Sequence, residues 1–204
     1  MFKVGLTGGI GCGKTTVSKF FTEMNIPVVD ADDIAHGLVE PGKPALVEIG
    51  NAFGDDVFNL DDSLNRHYLR DIVFSDPTQK QKLEAILHPL VFSAMQEKID
   101  LLNTSYCIVS IPLLFETRMT HFVNRILVID CPVESQIERV KCRDNLADTR
   151  IRSIIDSQVS REFRIAHADD VIDNSGCGGE LAEQVKKLHN LYLSISASLG
   201  QPRL

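Results

Sequence analysis

Apolar residues fall in short blocks along this chain, and their spacing changes from region to region. Val4-Gly5-Leu6-Thr7 is a short apolar run of the kind a buried parallel strand shows. Val17, Phe20, Phe21 and Met24 follow at i, i+3, i+4 and i+7, the stripe of an amphipathic helix. Pro27-Val28-Val29-Asp30 reads as a second short strand, running into the acidic turn Asp30-Ala31-Asp32-Asp33. From about Asp33 to Asn103 the signals are helical only. They run Ile34 to Val39, a segment opened by Pro44 with Leu46, Ile49 and Phe53, then Leu64 to Phe74, and a stretch from Pro77 to Leu102 broken near His88-Pro89. Strand patterns return at Tyr106 to Ile111 and Arg125 to Asp130, both apolar and rich in β-branched residues. Pro132 to His167 is helical and strongly charged. Asp170-Val171-Ile172 gives a last short strand, Asn174-Ser175-Gly176 a turn, and Glu180 to Ser196 a closing helix with Leu181, Val185, Leu188 and Tyr192 on one side.

Five short strands alternating with helices predict an α/β fold built on a doubly wound five-stranded parallel sheet, with ligands outside the carboxyl ends of the strands. The acidic turn at Asp30 to Asp33 lies at such an end. The helical run of about 70 residues between neighbouring strands is too long for an ordinary α/β connection, and reads as a lobe that covers a substrate.

Composition narrows the picture. The 204 residues, 44% hydrophobic and 24% charged, suffice for one sizeable core with small lobes. A net charge of −7 argues against a general nucleic-acid surface, which needs clustered Lys and Arg. The first strand begins without a charged and apolar leader, and no apolar run approaches the roughly 20 residues of a membrane span; a cytoplasmic protein with no membrane partner is expected. Cys12, Cys107, Cys131, Cys142 and Cys177 show no C-x-x-C pair and no zinc spacing, so reduced thiols are expected, with Cys107 and Cys131 as small apolar residues in or beside strands.

The chemistry concentrates at Gly8-Gly9-Ile10-Gly11-Cys12-Gly13-Lys14-Thr15, a complete G-x-x-x-x-G-K-[ST] loop between an apolar strand and an amphipathic helix. Glycines there let the backbone wrap an anion so that several N–H groups point inward, and the helix start adds its positive dipole end. Lys14 would reach the β- and γ-phosphates of a nucleotide, and the Thr15 hydroxyl would help coordinate Mg²⁺. Asp30, Asp32 or Asp33 could accept a proton from an attacking hydroxyl, or could form a helix cap with an acidic first turn; their spacing does not choose. Arg139, Lys141, Arg143, Arg150, Arg152, Arg161 and Arg164 in one segment of an acidic chain point to a local anion-binding lid. His88 before Pro89 reads as helix punctuation or a packed histidine.

Taken in order, Leu6 to Val17, Asp30-Ala31-Asp32, Leu87-His88-Pro89, Pro112-Leu113-Leu114-Phe115-Glu116 and Ala168 to Gly176 resemble dephospho-CoA kinases over nearly the whole chain. The resemblance implies a P-loop NTPase fold with a helical substrate-binding insertion and a helical lid. It implies a core of residues 1–32, 104–138 and 166–204, a dephospho-CoA-binding insertion at 33–103, and a lid at 139–165. The implied activity is transfer of the ATP γ-phosphate to the ribose 3′-hydroxyl of dephospho-CoA, with Mg²⁺. The implied catalytic residues are Lys14, Asp32 as the base, and Arg143 on the transferring phosphate, with Arg139 and Arg161 behind it in the lid. ATP would contact Gly8, Gly9, Ile10, Gly11, Cys12, Gly13, Lys14, Thr15, Thr16 and Asn174, and the acceptor Asp32, His88, Phe115 and Glu116. A monomer or small homo-oligomer is expected. The family commonly carries Ser where this chain has Cys12 and Thr15. A nucleoside monophosphate kinase is the nearest alternative. A GTP switch lacks its Asn-Lys-x-Asp base-reading segment here.

Overall fold

The computed structural model describes residues 1–176 and 178–199; Cys177, one of the five cysteines expected to be reduced, lies outside them. Five strands, β1 (Phe2–Gly8), β2 (Val28–Asp30), β3 (Tyr106–Ser110), β4 (Arg125–Asp130) and β5 (Asp170–Asp173), form one sheet in the order 2-3-1-4-5. β1 pairs parallel with β3 on one side and β4 on the other, and β4 with β5. This order makes β1 the central strand. Its apolar run is therefore buried on both faces, with Val4 and Leu6 fully inaccessible and Thr7 1% exposed.

The chain divides into two compact units. The first comprises Met1–Val29 and Leu102–Leu204. Its core is the sheet packed by α1 (Lys14–Glu23) and α9 (Gly178–Leu199), through Val17, Phe21, Leu181, Val185 and Tyr192. After β4 the chain forms α6 (Val133–Asp144), α7 (Asp148–Asp156) and α8 (Arg161–Ala166). Ile137, Val140 and Ile151 join α6 to α7, and the Ser160 hydroxyl caps α8 by accepting from the Phe163 amide.

The second unit, Asp30–Leu101, is helical. It holds α2 (Ala31–Leu38), α3 (Pro44–Phe53), α4 (Arg66–Ser75) and α5 (Pro77–Asp100) around Val39, Ala45, Ile49, Val57 and Leu69. Local chemistry sets the helix starts: Asp30, Asn65 and Asp76 accept from first-turn amides, and Pro44 and Pro77 open α3 and α5.

Two expectations are corrected here. Pro89 does not break α5, which runs through it for 24 residues. A mid-helix proline costs about 3 kcal/mol, and here apolar packing on both sides offsets it: Leu83, Ile86, Leu87 and Leu90 pack on the unit's core, and Val91, Met95 and Ile99 are buried. The region is also not wholly helical. Between α3 and α4 lie a 3₁₀ turn, Asp55–Val57, and an antiparallel bridge between Phe58 and Leu64 around an Asn59–Ser63 turn. In that turn Asp61 Oδ1 accepts from the Ser63 amide at 3.1 Å and from the Ser63 hydroxyl at 2.6 Å, a local side-chain bonding that competes with helix.

Candidate active site

β1 delivers Gly8 to the carboxyl edge of the sheet, and six residues later the chain enters α1 at Lys14. The intervening loop closes on itself through the Cys12 amide, which donates to the Gly9 carbonyl at 3.2 Å. Gly13 caps α1 with φ 97° and ψ 26°, a left-handed conformation that only glycine adopts cheaply. A Cβ there would sit 2.3 Å from the Asn174 amide nitrogen. That nitrogen donates to the Cys12 carbonyl at 2.7 Å, so the segment after β5 braces the loop. The Thr16 amide donates to the Gly13 carbonyl at 3.1 Å, and the amides at the head of α1, with the dipole, form an anion-binding end. Lys14 extends back along this loop, its Nζ donating to the Gly8 carbonyl at 2.7 Å and the Gly9 carbonyl at 3.3 Å. Thr15 and Thr16 are exposed on the first turn of α1.

Residues 155–164, together with the start of α6, line a cleft of about 430 Å³ that includes Gln136, Gln158, Val159, Ser160, Arg161 and Arg164. The Ile10 amide donates to Gln158 Oε1 at 3.1 Å. Glu116, in the turn after β3, accepts from the Val159 amide at 2.9 Å. Phe115 beside it meets Phe163 edge-on at 5.6 Å, and Phe163 stacks on His167 at 3.9 Å.

Four arginines of the 139–164 segment are held differently. Arg139 donates to the Asn174 carbonyl at 2.8 Å, while its Nη1 is buried without a hydrogen-bond partner. Arg161 grips Asp130, at the end of β4, through contacts of 2.6 to 3.1 Å; that carboxylate is the main cause raising the Arg161 pKa. Arg143, at the end of α6, forms a bidentate pair with the adjoining Asp144, both contacts 2.7 Å, which holds the exposed Asp144 carboxyl below its ordinary range. Arg164, singled out in sequence only as one of seven basic residues, is 5% exposed and donates to the Val159 carbonyl at 2.5 Å. Its Nη2 lies 3.0 Å from where a Gly9 Cβ would stand. Buried Gln136 points Oε1 at the same place, 2.9 Å away. Arg164 and Gln136 are thus loop neighbours that spacing did not select. The one available signal was Arg164 three residues after Arg161, on the same face of a capped helix.

The remaining candidates lie in the helical unit. Asp30 caps α2, its Oδ1 accepting from the Asp32 amide at 2.9 Å and the Asp33 amide at 3.3 Å. This assigns Asp30 the capping role and leaves the Asp32 side chain on the exposed first turn. His88 is exposed on α5. Among the described residues no group of three His, Cys, Asp or Glu side chains could hold a metal ion, and no helix is long and apolar enough to cross a membrane.

A central strand, a glycine loop braced by Asn174, a helix N-terminus with Lys14 and a flanking arginine segment define a P-loop kinase. The sequence model of dephospho-CoA kinase matches residues 2–180. A dephospho-CoA kinase of Methylococcus capsulatus is 44% identical over 97% of this chain and the whole of its own length. A solved protein of Thermus thermophilus has a TM-score of 0.85 at 29% identity, over 93% of this chain and 96% of that one. The dephospho-CoA kinase from Campylobacter jejuni has a TM-score of 0.71 at 26% identity, over 96% and 98%. The chain belongs to the dephospho-CoA kinase family.

Proposed function

We propose that this kinase phosphorylates the ribose 3′-hydroxyl of dephospho-CoA with ATP, giving CoA and ADP in the last step of CoA biosynthesis. The observation that carries this reading is the braced phosphate loop at the head of a chain matched to that family from residue 2 to residue 180. Phosphoryl transfer needs in-line positioning and neutralisation of spreading negative charge more than covalent help. The amides of Gly9 to Thr16 hold the phosphates, and Lys14 turns from the loop carbonyls to the β- and γ-oxygens. The exposed Thr15 hydroxyl at the first turn of α1 would help hold a Mg²⁺ ion brought with the nucleotide, which would supply charge neutralisation at the phosphates.

Asp32 accepts the 3′-hydroxyl proton as the oxygen attacks. Residues 33–103 embrace dephospho-CoA, with His88, Phe115 and Glu116 contributing to its binding. Residues 139–165 act as the lid. Arg143 leaves Asp144 for the transferring phosphate, supported by Arg139 and Arg161. Asn174 borders the adenine. The chain works in the cytoplasm on small molecules, without nucleic acid or membrane, as a monomer or small homo-oligomer; its −7 charge supports the first exclusion.

The test is ADP release with Mg-ATP and a panel of dephospho-CoA, AMP, CMP, UMP and adenosine, with product identification by mass spectrometry. Turnover confined to dephospho-CoA is expected. Preference for a nucleoside monophosphate would overturn the acceptor assignment.

A further inference from the structure

Cys12 stands inside the phosphate loop and Cys131 one residue beyond β4, 119 positions apart in sequence, yet their Sγ atoms are 3.1 Å apart. Both are buried, 1% and 0% exposed. We propose that Cys12 and Cys131 form a reversible disulfide under peroxide, and that this cross-link switches off nucleotide binding by displacing the loop.

The two sides of the pair are anchored unequally. Cys131 follows Asp130, which is gripped by Arg161, and its carbonyl accepts from Gln136 Nε2 at 3.3 Å. Cys12 lies between Gly11 and Gly13, both in the left-handed region at φ 76° and 97°. Closing the sulfurs from 3.1 Å to a bond of about 2.05 Å takes roughly 1 Å of movement, and the glycine-flanked loop supplies it. The same shift pulls on the Cys12 carbonyl held by Asn174 and the Cys12 amide bonded to Gly9, and it re-aims the amides that must converge on phosphate.

The chemistry is assigned by environment. Hydrogen-bond donation from Cys131, then the charges of Lys14 and Arg164, bring the Cys12 pKa down to about 7 against the opposing effect of burial. Cys131, the donor, is pushed up and stays a thiol. The Cys12 thiolate therefore attacks a peroxide oxygen, the O–O bond breaks, and hydroxide leaves, giving a sulfenic acid. The Cys131 sulfur then attacks the Cys12 sulfur; the S–O bond breaks and the departing hydroxide takes the Cys131 proton as water. Two thiols lose two electrons and two protons, and hydrogen peroxide becomes two waters. Because the pair is buried, peroxide enters only when the loop opens, so bound ATP slows the reaction.

This inference rests on the nucleotide-site reading of the loop, and the experiment separates the two. The full chain is exposed to hydrogen peroxide with and without ATP, quenched with catalase, unfolded in N-ethylmaleimide and mapped by mass spectrometry; ATP binding is measured on the same samples. A linked Cys12–Cys131 peptide lighter by two hydrogen atoms, ATP binding weakened about tenfold or more, full recovery with dithiothreitol and protection by ATP are expected. Cys131→Ala should bind ATP normally before treatment and give no linked peptide, its oxidation stopping at Cys12 itself; Cys131→Ser serves if the alanine variant fails to fold. Treated wild-type protein with both cysteines alkylated, or cross-linked protein that binds ATP as the reduced form does, would overturn the proposal. Reduced protein that binds no ATP would instead remove the nucleotide reading, with the peptide map still deciding the cross-link.

Discussion

Replacing Gly13 by alanine loads one position of the loop with two separable penalties. An L-residue at φ 97° is strained, which costs about 1–2 kcal/mol. The added Cβ would also sit 2.3 Å from Asn174 Nδ2, so that side chain must withdraw and its 2.7 Å bond to the Cys12 carbonyl is lost, about 1 kcal/mol more. The sum, about 2–3 kcal/mol, corresponds to a fall in melting temperature of roughly 5–10 °C for a chain of this size. Gly42 supplies the control. It too has positive φ, 84°, but nothing lies within 4 Å of its added Cβ, so Gly42→Ala should cost only the strain. Thermal melts of the two variants, with ADP release at varied ATP, separate the effects. Gly13→Ala should melt lower than Gly42→Ala and lose about tenfold or more in kcat/KM for ATP, while Gly42→Ala keeps its activity. Equal melting temperatures together with unchanged kcat/KM in Gly13→Ala would refute the bracing role of Asn174.

Asp32→Asn should lower kcat about a hundredfold or more with the melting temperature retained, because the side chain is exposed; near-normal turnover would remove it as the base. Arg143→Ala should lower kcat with little change in the KM for ATP, whereas Arg164→Ala, which vacates a buried site beside Gly9, should raise that KM and lower the melting temperature; steady-state kinetics on both variants distinguish the two roles. Buried Tyr192 donates to Asp170 at 2.8 Å, and Asp170 also holds Arg125 at 2.6 and 2.9 Å, so Tyr192→Phe should cost about 2 kcal/mol in urea unfolding and leave kcat unchanged. Cys12 has a folded pKa of about 7 against 9.0 for a free thiol. A lowered acid pKa contributes stability that is present above the unfolded value and lost as pH falls through the folded one, so this contribution should rise from pH 7 to pH 9. Iodoacetamide labelling at Cys12 should likewise increase through about pH 7 in the folded chain and about pH 9 in urea; a folded midpoint at the urea value would contradict the thiolate.

Much of the architecture is written locally. The apolar blocks give all five strands and the helices α1 to α4 and α9 to within a few residues, because burial on a strand or helix face repeats with the element's own period, whereas the charged stretch from Pro132 to His167 reads as one helical region and folds as three helices. The phosphate loop is legible for the same reason: glycines at fixed spacing between a strand and a helix dictate backbone geometry without distant help. Sequence could not weigh Pro89, since the apolar contacts that carry α5 across it come from other helices of the unit. Nor could it divide Asp30 from Asp32, a choice made when β2 ends at one and leaves the other on the first turn of α2.

What surrounds the loop was decided by topology alone. Arg164 and Gln136 reach Gly9, and Cys131 reaches Cys12, because the order 2-3-1-4-5 sets the end of β4 beside the end of β1. Residues more than a hundred positions apart carry no periodic mark of their meeting. The chain by itself fixes an anion-binding loop in an α/β kinase; only the packed sheet decides which arginine faces it and that its cysteine has a partner.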